Sequence, residues 1–488
     1  MGVEIASLEP KEVWSFFHEI TKYPRPSKKE EKIVAYVEQL AAELGYPLKK
    51  DELGNIVITK PASPGMENRK PVVIQAHLDM VTEKNRDVEF DFENDSIQTY
   101  IDDGWVKAKG TTLGADNGMG VAMGMAVLAS KDIKHPPYEL LLTLDEETGL
   151  TGAIQLGTDL LKSEILINLD TEDDHTFSIG CAGGLNTIGH FPFERKSIYD
   201  SEYSYYEVGV KGLMGGHSGI EIHEGRAAAT KLLTRLLFNL HEKYDVLINS
   251  MDSGNKHNAI PREGFAKVAI PSNNLDDALK MIVTFKKRFQ NEYKSVEKNL
   301  DITVQEINSF DSVFDKDSQE RILRAFMVMP HGVFRMSPDI EGLVQTSTNF
   351  AVIKTKENEV EILTSQRSSS HTEKMYFADI IMNVIDLGGG KAVFSDGYPS
   401  WEPNMDSPIL NVAKKIHQDI FGSEPVVEAI HAGLECGLIG DKYPNMDMLS
   451  FGPTIKEPHT PDEKIEIVTV ENTWKLLLGI LENIPEKN

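Results

Sequence analysis

Three features of the chain predict an α/β protein carrying an inserted α+β unit. Short apolar runs alternate with amphipathic helical patterns from Glu30 onward, the alternation lapses after Gly183 and Gly184, and it resumes past Gly390. Helices interleaved with short apolar strands argue for a sheet covered on both faces. With 488 residues the chain is long enough for two or three domains, each with its own core. The changes in character place a split α/β domain at 1–184 and 392–488, with the insertion at 185–391.

The opening stretch MGVEIASLEPKEVWSFFHEI reads as an amphipathic helix, with neither the basic leader nor the apolar run of a secretory signal. Ala6 departs from the myristoylation pattern that Gly2 would otherwise begin. Next come the helical pattern KIVAYVEQLAAELG, the strands NIVITK and PVVIQA, the small-residue helix GVAMGMAVLAS, and the strands YELLLTL and EILINLD. Inside the insertion, strands (SYYEVGVKG, GFAKVAI, LDITVQEI, NEVEILTSQ) alternate with the helices AAATKLLTRLLFNLHEKY and LDDALKMIVTFKKRF. The returning segment contains a strand near KAVFSD, the helix SPILNVAKKIHQDIFG, the strand EPVVEAIHAG and the helix ENTWKLLLGILENI.

Fifty Lys and Arg against 76 Asp and Glu leave a formal net charge of −26, which disfavours nucleic acid and anionic lipid as partners. No apolar run approaches the roughly 20 residues that span a bilayer. The only cysteines are Cys181 and Cys436, so the chain is expected in a reducing, cytoplasmic compartment.

In open α/β sheets ligands gather beyond the carboxyl ends of the strands, so polar residues that follow apolar runs are the ones to collect. VVIQAHLDMV sets His77 and Asp79 two apart, on one face if the strand continues, so that one can hold a metal while the other orients it. LGADNGMG puts Asp116 in a glycine-rich turn before a helix. LTLDEETG supplies Asp145, Glu146 and Glu147, LINLDTED supplies Asp170, and His459 lies between two prolines in GPTIKEPHTPDE. Each has a plainer reading: a chance HxD, a turn, a solvated helix cap, an ordinary strand end. Taken together they fall where a sheet would deliver them to one rim, and two histidines with three carboxylates suit a pair of divalent ions if one carboxylate bridges. One of the two glutamates is then a ligand and the other is left free, able to take a proton from an attacking water and return it to a leaving amine. The metals would acidify the water and polarise the carbonyl.

At these residues the chain resembles the co-catalytic zinc peptidase family of carnosinases, aminoacylases and glutamate carboxypeptidases. The likeness runs in order through GNIVITK, QAHLDMV, WVKAKGTTLGADNGMGVA, LLTLDEETGLTGA, LINLDTED, GLMGGHSG, HNAIPRE, HAGLECG and PHTPDE. It implies a zinc-exopeptidase-like three-layer catalytic domain with an inserted lid. It assigns His77 and Asp170 to one metal, Glu147 and His459 to the other, and Asp116 as the bridge between them. Asp79 would back His77, Glu146 would be the general base and acid, and the peptide after Asp116 would be cis. His217 of GGHSG would donate to the oxyanion, against a plainer role in a glycine loop, and Asn258 and Arg367 would contact substrate, the guanidinium taking a C-terminal carboxylate. Gly433 would line the cleft or simply turn the chain.

The implied activity is hydrolysis of unblocked dipeptides, Xaa-His among them, with two zinc ions that manganese or cobalt could replace; relatives with large lids occur as homodimers and as monomers, and a homodimer is the expectation. Two other readings stay open: an aminoacylase or related amidohydrolase acting on N-acyl amino acids, and a non-catalytic binding protein of the same fold. The free glutamate argues against the latter.

Overall fold

The computed structural model describes residues 4–199, 202–395 and 397–487. The chain forms two compact units. The first comprises Met1–Cys181, Pro403–Ala429 and Leu434–Asn488, and the second Ala182–Glu402 with Ile430–Gly433.

The first unit is built on an eight-stranded sheet in the order Leu48–Lys50, Ile56–Lys60, Tyr138–Thr143, Val72–His77, Ile165–Asn168, Asp447–Ser450, Thr176–Cys181, Val426–Ile430. Its centre is parallel: Val72–His77 pairs in parallel with both Tyr138–Thr143 and Ile165–Asn168, and the latter with Asp447–Ser450. Strands covered on both faces must be apolar throughout rather than alternating, and Val72–His77, Tyr138–Thr143 and Ile165–Asn168 are buried at every position. Helix Ala115–Ala129 lies on this sheet with almost every residue buried. Its small residues permit the approach: a Cβ on Gly124 would stand 2.4 Å from Leu140 Cδ1. The helix begins irregularly, with Asp116 and Asn117 outside helical geometry and a cis peptide between them.

A second, four-stranded sheet pairs Trp105–Ala108 with Thr99–Asp102 on one side and Lys464–Glu466 on the other, and Lys464–Glu466 in turn with Ile455–Lys456. This pairing carries the loop containing His459 to the turn containing Asp116.

The second unit is a nine-stranded antiparallel sheet, ordered Asp301–Glu306, Tyr203–Lys211, Gly264–Pro271, Leu247–Ser253, Val344–Thr355, Glu359–Ser368, Gly183–Pro192, Lys391–Phe394, with Gly332–Met336 also on Val344–Thr355. Helices Ala229–Tyr244, Leu275–Glu292, Lys316–Val328 and His371–Leu387 contribute Leu236, Phe289, Phe326 and Phe377 to one core with the sheet residues Val208, Val268, Phe350 and Ile362. The spacing of the apolar residues on those helices is the three-to-four repeat that a one-sided sheet selects.

Two details differ from the sequence reading. The strand near KAVFSD, expected in the returning α/β segment, pairs as Lys391–Phe394 with Gly183–Pro192 inside the second unit. That unit also reclaims Ile430–Gly433, which the text places in an α/β strand and turn. An edge strand and a four-residue return are too short for composition to assign.

Among the described residues no helix is long and apolar enough to cross a membrane. Cys181 and Cys436 are buried as thiols.

Candidate active site

The parallel strands deliver their carboxyl ends to one rim. His77 ends its strand, 1% exposed, with Nδ1 3.2 Å from the Asp79 carbonyl and 3.4 Å from the Asp79 carboxylate. Both are acceptors, so Nδ1 carries a hydrogen and Nε2 is the ring atom turned to the site. There Nε2 stands 3.1 Å from Asp116 Oδ1 and 3.4 Å from Asp170 Oδ1. On the other side of Asp116, His459 Nε2 lies 3.1 Å from Asp116 Oδ2 and 3.1 Å from Glu147 Oε2. Asp116 thus offers one oxygen to each of two clusters.

The potential ligand atoms of His77, Asp116 and Asp170 lie within 4.8 Å of one another, as do those of Asp116, Glu147 and His459. Glu146 forms a third such group with His77 and Glu147. The donor set fits divalent cations: nitrogen and carboxylate oxygen, two clusters, one shared carboxylate. Glu147 Oε1 is buried without a hydrogen-bond partner, an expensive omission unless something positive meets it. The electrostatics agree. Hydrogen bonds to Asp116 and Glu147 push the His459 imidazole up to about 11, and for His77 the carboxylates of Asp170, Asp116 and Asp79 outweigh burial and raise it well above the usual range. The protons on these rings stand in for cationic charge that the carboxylates demand.

The three successive acids have separate tasks. Asp145 is structural: its carboxylate accepts from the hydroxyls of Thr148 and Thr151, both at 2.6 Å, and closes the turn. Glu147 faces His459. Burial pushes the Glu146 carboxyl well above the usual range; His77 opposes this, while Asp170, Glu435 and Glu147 reinforce it. Asp79 does more than back His77, because its two oxygens accept the backbone N–H groups of Glu146 at 3.0 Å and Glu147 at 3.2 Å, and the Ser27 hydroxyl at 2.7 Å. Burial would raise Asp79, but the bonds from His77, the Glu146 N–H and Ser27 hold it at about 2. One buried carboxylate therefore aligns a histidine and both glutamates.

Three supporting residues escape the sequence reading. Glu463, 2% exposed, accepts the backbone N–H groups of Leu113 (2.7 Å), Gly114 (2.9 Å), Ala115 (2.7 Å) and Asp116 (3.3 Å), gripping the turn that presents Asp116. Arg25, 3% exposed, donates to the carbonyls of Leu78 and Asp79, both at 2.9 Å, and to that of Gly114. A Cβ on Gly114 or Gly118 would run into its guanidinium, at 2.4 and 2.6 Å from Nη2, which explains those glycines of LGADNG. Glu435, 1% exposed, accepts from Gln75 at 2.5 Å and Thr143 at 2.8 Å, and burial raises it to about 7. Glu463 and Glu435 lie within the stretches PHTPDE and HAGLECG, but neither stretch shows what its glutamate holds.

In the second unit, His217 Nδ1 accepts from the N–H groups of Gly219 at 3.2 Å and Ile220 at 3.1 Å, so its hydrogen sits on Nε2. Burial, then the charge of Arg367, lowers its pKa, leaving a neutral ring with one outward donor. Arg367, 7% exposed, lies in the same place: a Cβ on Gly219 would be 3.0 Å from His217 Cε1 and 3.3 Å from Arg367 Nε. Asn258 is exposed and contributes its carbonyl to the Ser218 N–H at 2.9 Å. Another potential ligand group, His190 with Glu359 and Glu361, already has Lys356 bound to both carboxylates and reads as a surface ion network.

Residues 208–297 match the M20 peptidase dimerisation domain. The chain is 41% identical over 484 residues to the cytosol non-specific dipeptidase of Escherichia coli, covering 99% of this chain and 100% of that one. The crystal structure of aminoacylhistidine dipeptidase from Vibrio alginolyticus superposes with a TM-score of 0.93 at 44% identity, over 100% of this chain and 99% of the other. Aminopeptidase PepT from Bacillus cereus, 16% identical with a TM-score of 0.56 over 98% and 99% of the two chains, shares the fold alone. An Asp116-centred pair of carboxylate and histidine clusters, on a sheet shared over the full length with such relatives, leads to one conclusion: the chain belongs to the M20 peptidases, in the family of the cytosol non-specific dipeptidases.

Proposed function

We propose that the protein is a metallo-dipeptidase that hydrolyses unblocked dipeptides, Xaa-His among them, with Glu146 as general base and acid. The observation that carries this reading is the shared carboxylate of Asp116, with His77 and Asp170 at one oxygen and His459 and Glu147 at the other. These five side chains would hold two divalent ions, zinc by preference, whose chemistry is to acidify a water and polarise the scissile carbonyl. Asp79 fixes the His77 tautomer and aligns the backbone of Glu146 and Glu147. A general base must be able to take up a proton, and burial raises the Glu146 carboxyl in the direction that favours it. Glu146 takes the proton from water during attack and returns it to the departing amine. The neutral His217, hydrogen on Nε2, is suited to donate to the oxyanion. Arg367 accepts the substrate's free carboxylate, and Asn258 contacts the peptide.

A cytosolic location follows the name of the Escherichia coli relative, and a homodimer would use the matched dimerisation domain. The test is metal analysis combined with hydrolysis of a panel of unblocked dipeptides, N-blocked dipeptides and N-acetyl amino acids, before and after chelation. Activity on unblocked dipeptides, lost with two metal ions per chain and restored with them, is expected. Cleavage of N-acetyl amino acids alone would make the enzyme an aminoacylase instead.

A further inference from the structure

The Arg367 guanidinium is almost fully buried, and among the described residues no carboxylate lies within ion-pair distance of it. Its Nε is buried without a hydrogen-bond partner. What holds it is a phenol: Nη1 donates to the Tyr398 hydroxyl at 2.7 Å. The backbone explains how Tyr398 reaches it. Arg367 is in register with Gly184 on the neighbouring strand, and Gly184 forms a bridge with Tyr398 through reciprocal N–H to carbonyl bonds of 3.1 and 3.0 Å. The three residues therefore lie side by side across the sheet, and the Tyr398 ring must pass over Gly184 to meet Arg367.

It can do so because Gly184 has no side chain: a Cβ there would be 2.4 Å from Tyr398 Cε1. The opposite edge of the ring meets Gly433, where a Cβ would lie 2.8 Å from Cε2. Lys374 Nζ adds a bond to the Tyr398 carbonyl at 2.7 Å. Two glycines far apart in the chain thus form a slot for one aromatic ring. Gly433, ambiguous in the sequence between cleft lining and turn, acquires a definite task.

We propose that Tyr398, seated between Gly184 and Gly433, is a positioning residue that orients Arg367 for the free carboxylate of the substrate and so sets the preference for unblocked C-termini. A planar fork discriminates only when its direction is fixed, and a long side chain left to rotate gives up that advantage. A carboxylate on Arg367 as a permanent partner would fix it equally well but would cancel the charge. A neutral phenol fixes the fork and leaves the charge for the ligand.

This inference rests on the carboxylate role proposed above for Arg367, and the experiment separates the two. KM and kcat are measured on the metal-loaded full chain with one dipeptide as its free acid and as its C-terminal amide, for wild type, Tyr398→Phe, Gly433→Ala and Arg367→Ala. Tyr398→Phe keeps the ring in its slot and removes one acceptor; the preference for acid over amide, read in KM, should fall roughly three- to tenfold, the value of one hydrogen bond. Gly433→Ala, which displaces the ring, should lower the same ratio. If Arg367→Ala erases the preference while both other variants keep it at the wild-type value, Tyr398 has no positioning role and the inference is overturned. If Arg367→Ala itself leaves the preference intact, the carboxylate reading of Arg367 fails first and the inference falls with it.

Discussion

The two units solve opposite electrostatic problems. In the first, Asp79, Asp116, Glu146, Glu147 and Asp170 crowd together against His77, His459 and the nearby Arg25, so the acids outnumber the bases. In the second, Arg367 is buried with no carboxylate of the described residues within ion-pair distance and with neutral histidines nearby. Both sites are charged in the sense opposite to the species they would receive, and neither is balanced by its own side chains. Each is also supported from behind: Asp79 and Glu463 hold the backbone around the acids, Arg25 holds it too while its buried guanidinium offsets part of their charge, and Tyr398 holds the arginine. Buried charge without a counter-charge is costly, so both sites are primed to gain from a ligand of opposite sign.

The largest test of this contrast removes the proton carrier. Glu146→Gln should lower kcat roughly a hundred- to ten-thousandfold. Two metals per chain by elemental analysis should remain; loss of metal along with activity would mean that Glu146 is a ligand. Next comes the support of Asp116. Glu463→Gln places an amide donor against backbone N–H groups and should weaken metal retention against a competing chelator roughly ten- to a hundredfold, the usual range for such outer contacts. Unchanged retention would show that the Asp116 turn holds itself. On the cationic side, Arg367→Ala should raise KM for the free dipeptide by roughly tenfold or more, since charge-assisted hydrogen bonds are the stronger kind.

Smaller effects compare the units as folded bodies. Ser407 caps helix Pro408–Phe421 in the first unit, and Asp315 caps helix Lys316–Val328 in the second. Replacing either by Ala should cost about 1 kcal/mol in denaturant unfolding. His431 gives a signal confined to acid. Burial, then the Arg367 charge, holds its imidazole down to about 3, so between pH 6.5 and about 3 the unfolded chain binds a proton that the folded one refuses. Stability is therefore lost as pH falls through that window, and His431→Asn should make the decline shallower in melts across that range. Equal slopes would remove the assignment.

The sheet and its rim were largely legible in the sequence. Strand Val72–His77 and its parallel neighbours are unbroken apolar runs, and His77, Asp116, Glu147, Asp170 and His459 each follow such a run or a glycine or proline turn. The structure brings all five together, with Asp79 and Glu146 beside them. Arg25, Glu463 and Tyr398 were not legible because their contacts go to backbone atoms or to residues far along the chain. A carboxylate that accepts four N–H groups has no periodicity and no partner type to betray it. The same holds for Gly184 and Gly433, whose meaning depends on a ring that arrives from elsewhere. His217 was legible only through resemblance; its tautomer required the backbone of Gly219 and Ile220.

The grip of Glu463 on the Asp116 turn joins residues 347 positions apart. A ribosome must therefore add the whole second unit and most of the returning segment before that turn can be clamped, and His459 emerges only shortly before the clamp does. Any nascent chain that terminates early would carry His77 and Glu146 without a finished centre. A chain ending before residue 459 would lack both His459 and the clamp on the Asp116 turn.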